Sequence, residues 1–140
     1  MIDPELVTRK MLLITRDLAA LAPIARKDLQ SYLASDIDET LVERYLERAI
    51  GRMIDINYHL LTEAGHPPPA DYYESFTQLA RLGILEPAFA TGIAACAGLR
   101  NRIVHEYDEL DPSKMYDALG VALRDIPVYL RRVDEHLRRW

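Results

Sequence analysis

Apolar residues recur along this sequence at steps of three and four, the spacing of one face of an α-helix. The first such stretch begins at Asp3 and Pro4, a favourable start because Asp accepts hydrogen bonds from free amides and Pro suits the first helical position. The pattern continues to Tyr32 and predicts one long helix. Pro23 should bend this helix or divide it near Leu21.

The second stretch has the most regular pattern. Ser35 can cap the helix, and the acidic residues of SDIDE that follow it complement the positive end of the helix dipole. Apolar residues then follow from Val42 to Leu60 at steps of four and three. The glycine and prolines of GHPPP, residues 65–69, cannot continue a helix and predict a loop.

Two further helices are predicted between the GHPPP loop and Asp111. A short one runs from about Asp71 to Arg81 and ends near Gly83, and Glu86 with Pro87 restarts the chain. The buried seam of the longer helix that follows is predicted to contain Leu85, Phe89, Gly92, Cys96, Leu99 and Ile103. The small residues between Ala94 and Gly98 are interpreted as a close contact between helices.

Asp111 and Pro112 repeat the starting signal of the N-terminus and introduce a last helix, bent at Pro127 and ending in basic residues. No alternating pattern typical of a strand occurs. The sequence therefore predicts an all-α fold, an antiparallel helical bundle of four long helices plus one short helix. A chain of 140 residues is expected to form one domain, residues 1–140.

Composition and charge argue against several classes of function. A net charge of −5 argues against a protein that coats nucleic acid through bulk positive potential, although it allows a local basic patch. The single Cys96 excludes an internal disulfide, and no cysteine spacing typical of a zinc site occurs. The N-terminal segment has neither the pattern of a signal peptide nor that of a membrane span. We expect a cytoplasmic protein that does not enter membranes.

The segment LRNRIVHEYDEL, residues 99–110, concentrates chemically active residues. The predicted helix continues through it and places Arg100 and Tyr107 at roughly 60° and 40° from the centre of the apolar seam. Asn101 and His105 would lie near 160° and 200°, on the face turned away from the bundle. The two rows point in different directions. One substrate can meet both rows if Arg100 uses its long reach, if the helix is distorted, or if a second copy of the helix completes the site in a symmetric dimer.

This residue set can supply the chemistry of metal-free RNA cleavage. Histidine takes and gives protons near neutral pH, and the planar guanidinium of arginine suits phosphate oxygens. A base removes the proton of a ribose 2′-OH, whose oxygen attacks the adjacent phosphate. Arg100 stabilises the added negative charge, an acid protonates the leaving 5′ oxygen, and Asn101 orients the histidine or the phosphate.

The spacing of Arg100 and His105 alone has little specificity, since Arg131 and His136 repeat it in the last helix. The longer pattern R-N-x-x-x-H-x-Y, which includes Asn101 and Tyr107, occurs once.

That pattern, near the end of a helix in a small all-helical chain, resembles the signature of the HEPN superfamily. It is most similar to that of the HepT-like toxins of MNT/HEPN toxin-antitoxin pairs. The resemblance also includes the capped start at Ser35, the GHPPP loop, the LARLGIL passage at 79–85 and the helix start at Asp111. It therefore covers nearly the whole chain.

The resemblance implies a metal-independent ribonuclease without a cofactor, the toxin of a type II-like pair, acting as a homodimer in which the two motifs face one cleft. Arg100 and His105 would be catalytic, with Asn101 in support. The partner would be a small MNT-type nucleotidyltransferase, an antitoxin that neutralises the toxin by transferring AMP onto Tyr107. Arg102 is a weaker candidate for RNA binding.

A second hypothesis is a non-catalytic helical module that holds a nucleotidyltransferase or a nucleotide. The intact Arg100 and His105 pair favours the enzyme, because a scaffold would not need it. Other polar and aromatic residues receive structural interpretations: His59 on a helix surface, His66 in a loop, and Tyr72 with Tyr73 in bundle packing.

Overall fold

The computed structural model describes residues 1–140 and is a bundle of helices without strands. The helices are α1 (Pro4–Ala25), α2 (Leu29–Leu33), α3 (Asp36–Glu63), α4 (Tyr72–Arg81), α5 (Pro87–Ile93), α6 (Ala95–His105) and α7 (Pro112–Arg139). A single 3-10 turn, Tyr107–Glu109, connects α6 to α7. The all-α prediction is confirmed.

Four predicted helix starts are present with their capping side chains. Asp3 accepts a hydrogen bond from the Leu6 amide at 3.1 Å, and Ser35 accepts one from the Asp38 amide at 3.1 Å. The Asp71 and Asp111 carboxylates cap α4 and α7 in the same manner. Each cap joins residues two or three apart, so the local sequence is sufficient to specify it.

The first predicted helix is wrong in its extent. It ends at Ala25 rather than continuing to Tyr32, and Pro23 lies in its last turn. Asp28 then caps the separate helix α2 by accepting a hydrogen bond from the Ser31 amide at 2.8 Å. Pro23 lacks the amide that would bond one turn back, and the Asp28 cap offers the backbone a second start.

The fourth predicted helix is divided into α5 and α6 at Ala94, and its predicted seam is partly wrong. Leu85, Leu99 and Ile103 of that seam are buried, but Gly92 is exposed. The other buried positions in this region are Ala90, Ile93, Ala94 and Ala97. Alanine side chains are small and allow neighbouring backbones to approach closely. Helices α5 and α6 therefore pack against the bundle with the face that carries these alanines. The interpretation of Ala94 to Gly98 as a packing segment agrees with this arrangement.

Helix α3 lies at the centre and packs against α1, α2, α4, α6 and α7. A buried hydrogen-bonded chain joins three of these helices. The Tyr129 hydroxyl of α7 donates to Asn57 Oδ1 of α3 at 2.6 Å, and Asn57 Nδ2 donates to the Ser75 hydroxyl of α4 at 3.2 Å. Ser75 in turn donates to the Tyr72 carbonyl at 2.7 Å. This chain fixes the first turn of α4 against the core.

Helix α7 continues through Pro127 to Arg139 without a break. None of the helices combines the length and the apolar character that a membrane crossing requires.

Candidate active site

Helix α6 carries three of the four motif residues near its C-terminus. Asn101 and His105 are exposed, and Arg100 is half-buried. Asn101 and His105 are four residues apart and so are neighbours on one helix face, whereas Arg100 points between α6 and the bundle. The predicted division into an exposed row and an edge position is therefore correct for these three residues.

Arg100 lies against an aromatic ring. Its guanidinium carbon is 5.4 Å from the centre of the Tyr72 ring, within the range of a cation–π contact. The buried Nε of Arg100 has no hydrogen-bond partner, and no carboxylate lies within ion-pairing distance of its guanidinium. The side chain borders a surface pocket of about 310 Å³ between α3, α4 and α6. Arg100 is thus held in position while its charge stays uncompensated.

Tyr107 does not lie on α6, where the helical periodicity predicted it. Helix α6 ends at His105, and the backbone of Glu106 is already outside the α-helical region, with φ −133° and ψ 32°. Tyr107 begins the 3-10 turn and is 63% exposed. The acidic residues after His105 would lie at the negative end of a longer helix, which disfavours its continuation. The predicted adjacency of Tyr107 to Arg100 along one helix is wrong.

The surroundings of Tyr107 are acidic. It borders a second pocket, of about 270 Å³, together with Tyr32, Glu39, Glu43 and Asp108 among others. The Tyr32 hydroxyl is buried without a hydrogen-bond partner, and burial, followed by the charges of Glu39, Glu43 and Asp38, raises its pKa to about 12. Arg100 and Tyr107 therefore border two pockets of opposite electrostatic character.

Arg102 is exposed and borders a third pocket, of about 400 Å³, with Glu109, Asp111 and Lys114 among its lining residues. It does not share a pocket with Arg100. No group of three or more His, Cys, Asp or Glu side chains is arranged to hold a metal ion.

The other histidines have local roles. His59 accepts a hydrogen bond from the Asp3 amide at 3.0 Å, and His66 lies in the loop after α3, 3.3 Å from the Pro67 carbonyl. Partial burial, aided by the charge of Arg139, lowers the pKa of His136. None of these histidines borders the Arg100 pocket.

Two features of the Arg100 pocket differ from the sequence analysis or were missed by it. Tyr72 is 39% exposed, so bundle packing does not describe it fully. Arg44, Arg48 and Arg52 form a row at intervals of four residues on α3 and line the same pocket. That interval is visible in the sequence, but their proximity to Arg100 depends on how α3 and α6 pack.

The chain is similar to known proteins over most of its length. A family model described as "Ribonuclease HepT-like" matches residues 14–133. A tRNA nuclease HepT from Aphanizomenon flos-aquae is 35% identical over 136 residues, which cover 97% of this chain and 92% of that protein.

Solved structures share the fold. A tri-AMPylated HEPN toxin of Shewanella oneidensis, in complex with an MNT antitoxin, has a TM-score of 0.84 at 22% identity, and the match covers 96% of this chain and 99% of that one. A cytosolic protein of unknown function from Bacillus subtilis has a TM-score of 0.81 at 18% identity, with 99% and 92% covered.

Proposed function

The chain belongs to the ribonuclease HepT-like family, and we propose that it is an endoribonuclease toxin that cleaves RNA with Arg100 and His105, without a metal ion. The observation that carries this proposal is the placement of the two motif residues Arg100 and His105 on α6. Arg100 is held against Tyr72 with no compensating carboxylate, and His105 is exposed at the end of the same helix. The positive charge and the proton-transfer group are both accessible to a phosphodiester.

The chemistry of His105 and Arg100 defines the steps of the proposed reaction. His105 takes the proton of a ribose 2′-OH, and the 2′ oxygen forms a bond to the adjacent phosphorus. Arg100 stabilises the negative charge that develops on the phosphate oxygens, with Asn101 orienting the phosphate or the histidine. The bond from phosphorus to the 5′ oxygen breaks, and that oxygen receives a proton. The products are a 2′,3′-cyclic phosphate and a 5′-hydroxyl.

In-line attack places the entering 2′ oxygen and the leaving 5′ oxygen on opposite sides of the phosphorus, so one imidazole is poorly placed to serve both. A homodimer with α6 of each copy facing a common cleft supplies His105 twice, one as the base and the other as the acid. The exposure of Asn101 and His105 on the outer face of α6 supports this arrangement. Arg102, also exposed, adds positive charge for RNA at the same end of the helix.

Cleavage of bulk transfer RNA, the substrate class in the name of the 35% identical relative, tests the proposal. Wild-type protein in EDTA should leave fragments that end in a 2′,3′-cyclic phosphate, detectable by mass spectrometry. His105→Ala should remove this activity. His136→Ala is the control, because His136 follows Arg131 on α7 with the same spacing along the sequence. Inhibition of the wild type by EDTA would contradict the metal-free mechanism.

A heterodimer of one wild-type and one His105→Ala protomer tests the shared site. If each cleavage needs both histidines, the heterodimer should be about as inactive as the His105→Ala homodimer. Half of the wild-type rate would instead mean two independent sites.

The partner that we propose is a small MNT-type nucleotidyltransferase acting as the antitoxin, as in the complex of the Shewanella oneidensis toxin. It would transfer AMP from ATP to the phenol oxygen of Tyr107, with release of pyrophosphate. Tyr107 is 63% exposed and two residues beyond His105, so an attached nucleotide would obstruct access to the imidazole. Both proteins would act in the cytoplasm.

Co-expression with such an antitoxin tests the modification. The added mass of AMP should appear in a peptide that contains Tyr107 and should be absent in Tyr107→Phe. Modification confined to other tyrosines would refute this part. A protein that binds the antitoxin but leaves RNA intact would instead be a non-catalytic binding module.

A further inference from the structure

The pocket beside Arg100 is lined on one side by a row of arginines from the adjacent helix. Arg44 and Arg48 are one helical turn apart on α3 and share the pocket with Arg100 and Tyr72. The row belongs to no part of the R-N-x-x-x-H-x-Y motif. These arginines are far from Arg100 along the sequence, but they line the same pocket.

The carboxylates around the pocket do not balance these cations. Arg48 and Arg52 share one buried carboxylate, Asp17, at 3.3 and 2.7 Å. Arg44 meets Glu47 at 3.4 Å in an exposed pair, which contributes little in water.

The remaining carboxylate in the lining, Asp55, is paired with Lys10 at 3.1 Å. The four arginines of the lining are therefore matched by only two carboxylates, Asp17 and Glu47, in a chain whose net charge is −5.

Tyr72 adds an aromatic surface to the same pocket. Its ring meets Arg100 on one side and the Tyr58 ring edge-on, with ring centres 6.2 Å apart, yet it is 39% exposed. The hydrogen bond from the Ser75 hydroxyl to the Tyr72 carbonyl holds the backbone in place. An exposed, fixed aromatic ring next to cations is the combination with which proteins hold single-stranded nucleic acids, since a base can stack on the ring while phosphates meet the cations.

We propose that this pocket, which we call the arginine pocket (Arg44, Arg48, Arg100 and Tyr72), binds the RNA next to the cleaved bond. Arg44 and Arg48 hold a flanking phosphate, and Tyr72 stacks on a base. This inference rests on the proposed function and extends it, because it assigns RNA-binding residues outside the motif. The pocket would fix the register of the RNA relative to Arg100.

The experiment measures RNA binding separately from cleavage. All proteins carry His105→Ala, so that RNA stays intact, and the probe is end-labelled bulk transfer RNA at several salt concentrations. Arg44→Ala should raise Kd about three- to ten-fold and reduce the slope of log K against log salt by about 0.7 to 0.9 for one lost phosphate contact. Arg44→Lys, which keeps the charge, should retain most of the slope.

Arg132→Ala is the matched control, because Arg132 pairs with Glu135 three residues ahead on α7 at 3.7 Å, much as Arg44 pairs with Glu47. It should leave both Kd and the slope unchanged. Tyr72→Ala should raise Kd roughly ten-fold, whereas Tyr72→Phe, which keeps the ring, should bind like the parent. Circular dichroism checks that each variant is folded.

Unchanged Kd and slope in Arg44→Ala, or an equal loss in Arg132→Ala, would overturn the inference. The proposed function would survive that outcome provided that the wild type, with His105 present, cleaves RNA and His105→Ala does not. Absence of cleavage by the wild type would refute the proposed function instead, whatever the binding data show.

Discussion

Replacing either Arg100 or His105 by alanine should abolish RNA cleavage, but only the Arg100 variant should lose stability. Arg100 is half-buried, with its guanidinium 5.4 Å from the centre of the Tyr72 ring. Arg100→Ala removes a cation–π contact of about 0.5–1 kcal/mol. It also removes a partly buried aliphatic stem, in which each fully buried methylene contributes about 0.8 kcal/mol.

Removal of the buried Nε, which has no partner, offsets part of this loss. We expect the free energy of unfolding of Arg100→Ala to fall by about 1 kcal/mol. His105 is exposed and makes no hydrogen bond through its ring, so His105→Ala should change the free energy of unfolding by at most about 0.5 kcal/mol.

Urea unfolding followed by circular dichroism measures both values, and cleavage of bulk transfer RNA gives the rates. Each variant should cleave at least about 100-fold more slowly than the wild type, because one removes the proton-transfer group and the other the charge that stabilises the transition state. Arg131→Ala is the control for the arginine, since its side chain is exposed on α7. It should preserve both stability and rate.

Equal destabilisation by the two substitutions would refute the structural division into an exposed and an edge position. Residual cleavage in either variant near the wild-type rate would remove that residue from the catalytic assignment.

Three further predictions concern the fold. Tyr129→Phe should lower the free energy of unfolding by about 1–3 kcal/mol, because it leaves the buried Asn57 carbonyl oxygen without its donor; an unchanged urea midpoint would contradict this. Gly83→Ala should cost about 1–2 kcal/mol, because Gly83 has φ +75°. Gly120→Ala, within α7 and with open space around its Cβ, should instead stabilise by about 0.5–1 kcal/mol, and the same sign for both glycines would refute the backbone argument. Burial lowers the pKa of His136, so the folded state holds this proton less tightly than the unfolded chain; its contribution to stability is complete above about pH 6.5 and is lost as the pH falls through the lowered pKa. The decrease in urea midpoint between about pH 7.5 and pH 5.5 should therefore be smaller in His136→Gln, and an equal decrease would exclude His136 as a source of that pH dependence.

Local signals in the sequence predicted the helix starts well. Asp3, Ser35, Asp71 and Asp111 all cap a helix in the structure, because a cap is formed between residues two or three apart. The end of α3 before the GHPPP loop is equally local, since Gly65 adopts φ +74° just beyond it. The motif residues on α6 could be recognised for the same reason, as a pattern of fixed spacing on one helix.

The predictions were wrong where the apolar pattern continues past the end of a helix. The apolar period from Val7 to Tyr32 continues across two helices, because both bury their faces in the same core. Periodicity alone does not show that Asp28 begins a new helix. The same limitation placed Tyr107 on α6, although the helix ends at His105.

The sequence by itself determined the all-helical bundle, the caps and the identity of the motif residues, since each depends on residues close together along the chain. Only the tertiary structure decided that Arg100 lies on the ring of Tyr72 beside Arg44 and Arg48, and that Tyr107 borders a separate acidic pocket. These proximities depend on how α3, α4 and α6 pack against one another. Side chains distant in sequence meet there because the helices bury a common core, and that packing gives each motif residue its electrostatic surroundings.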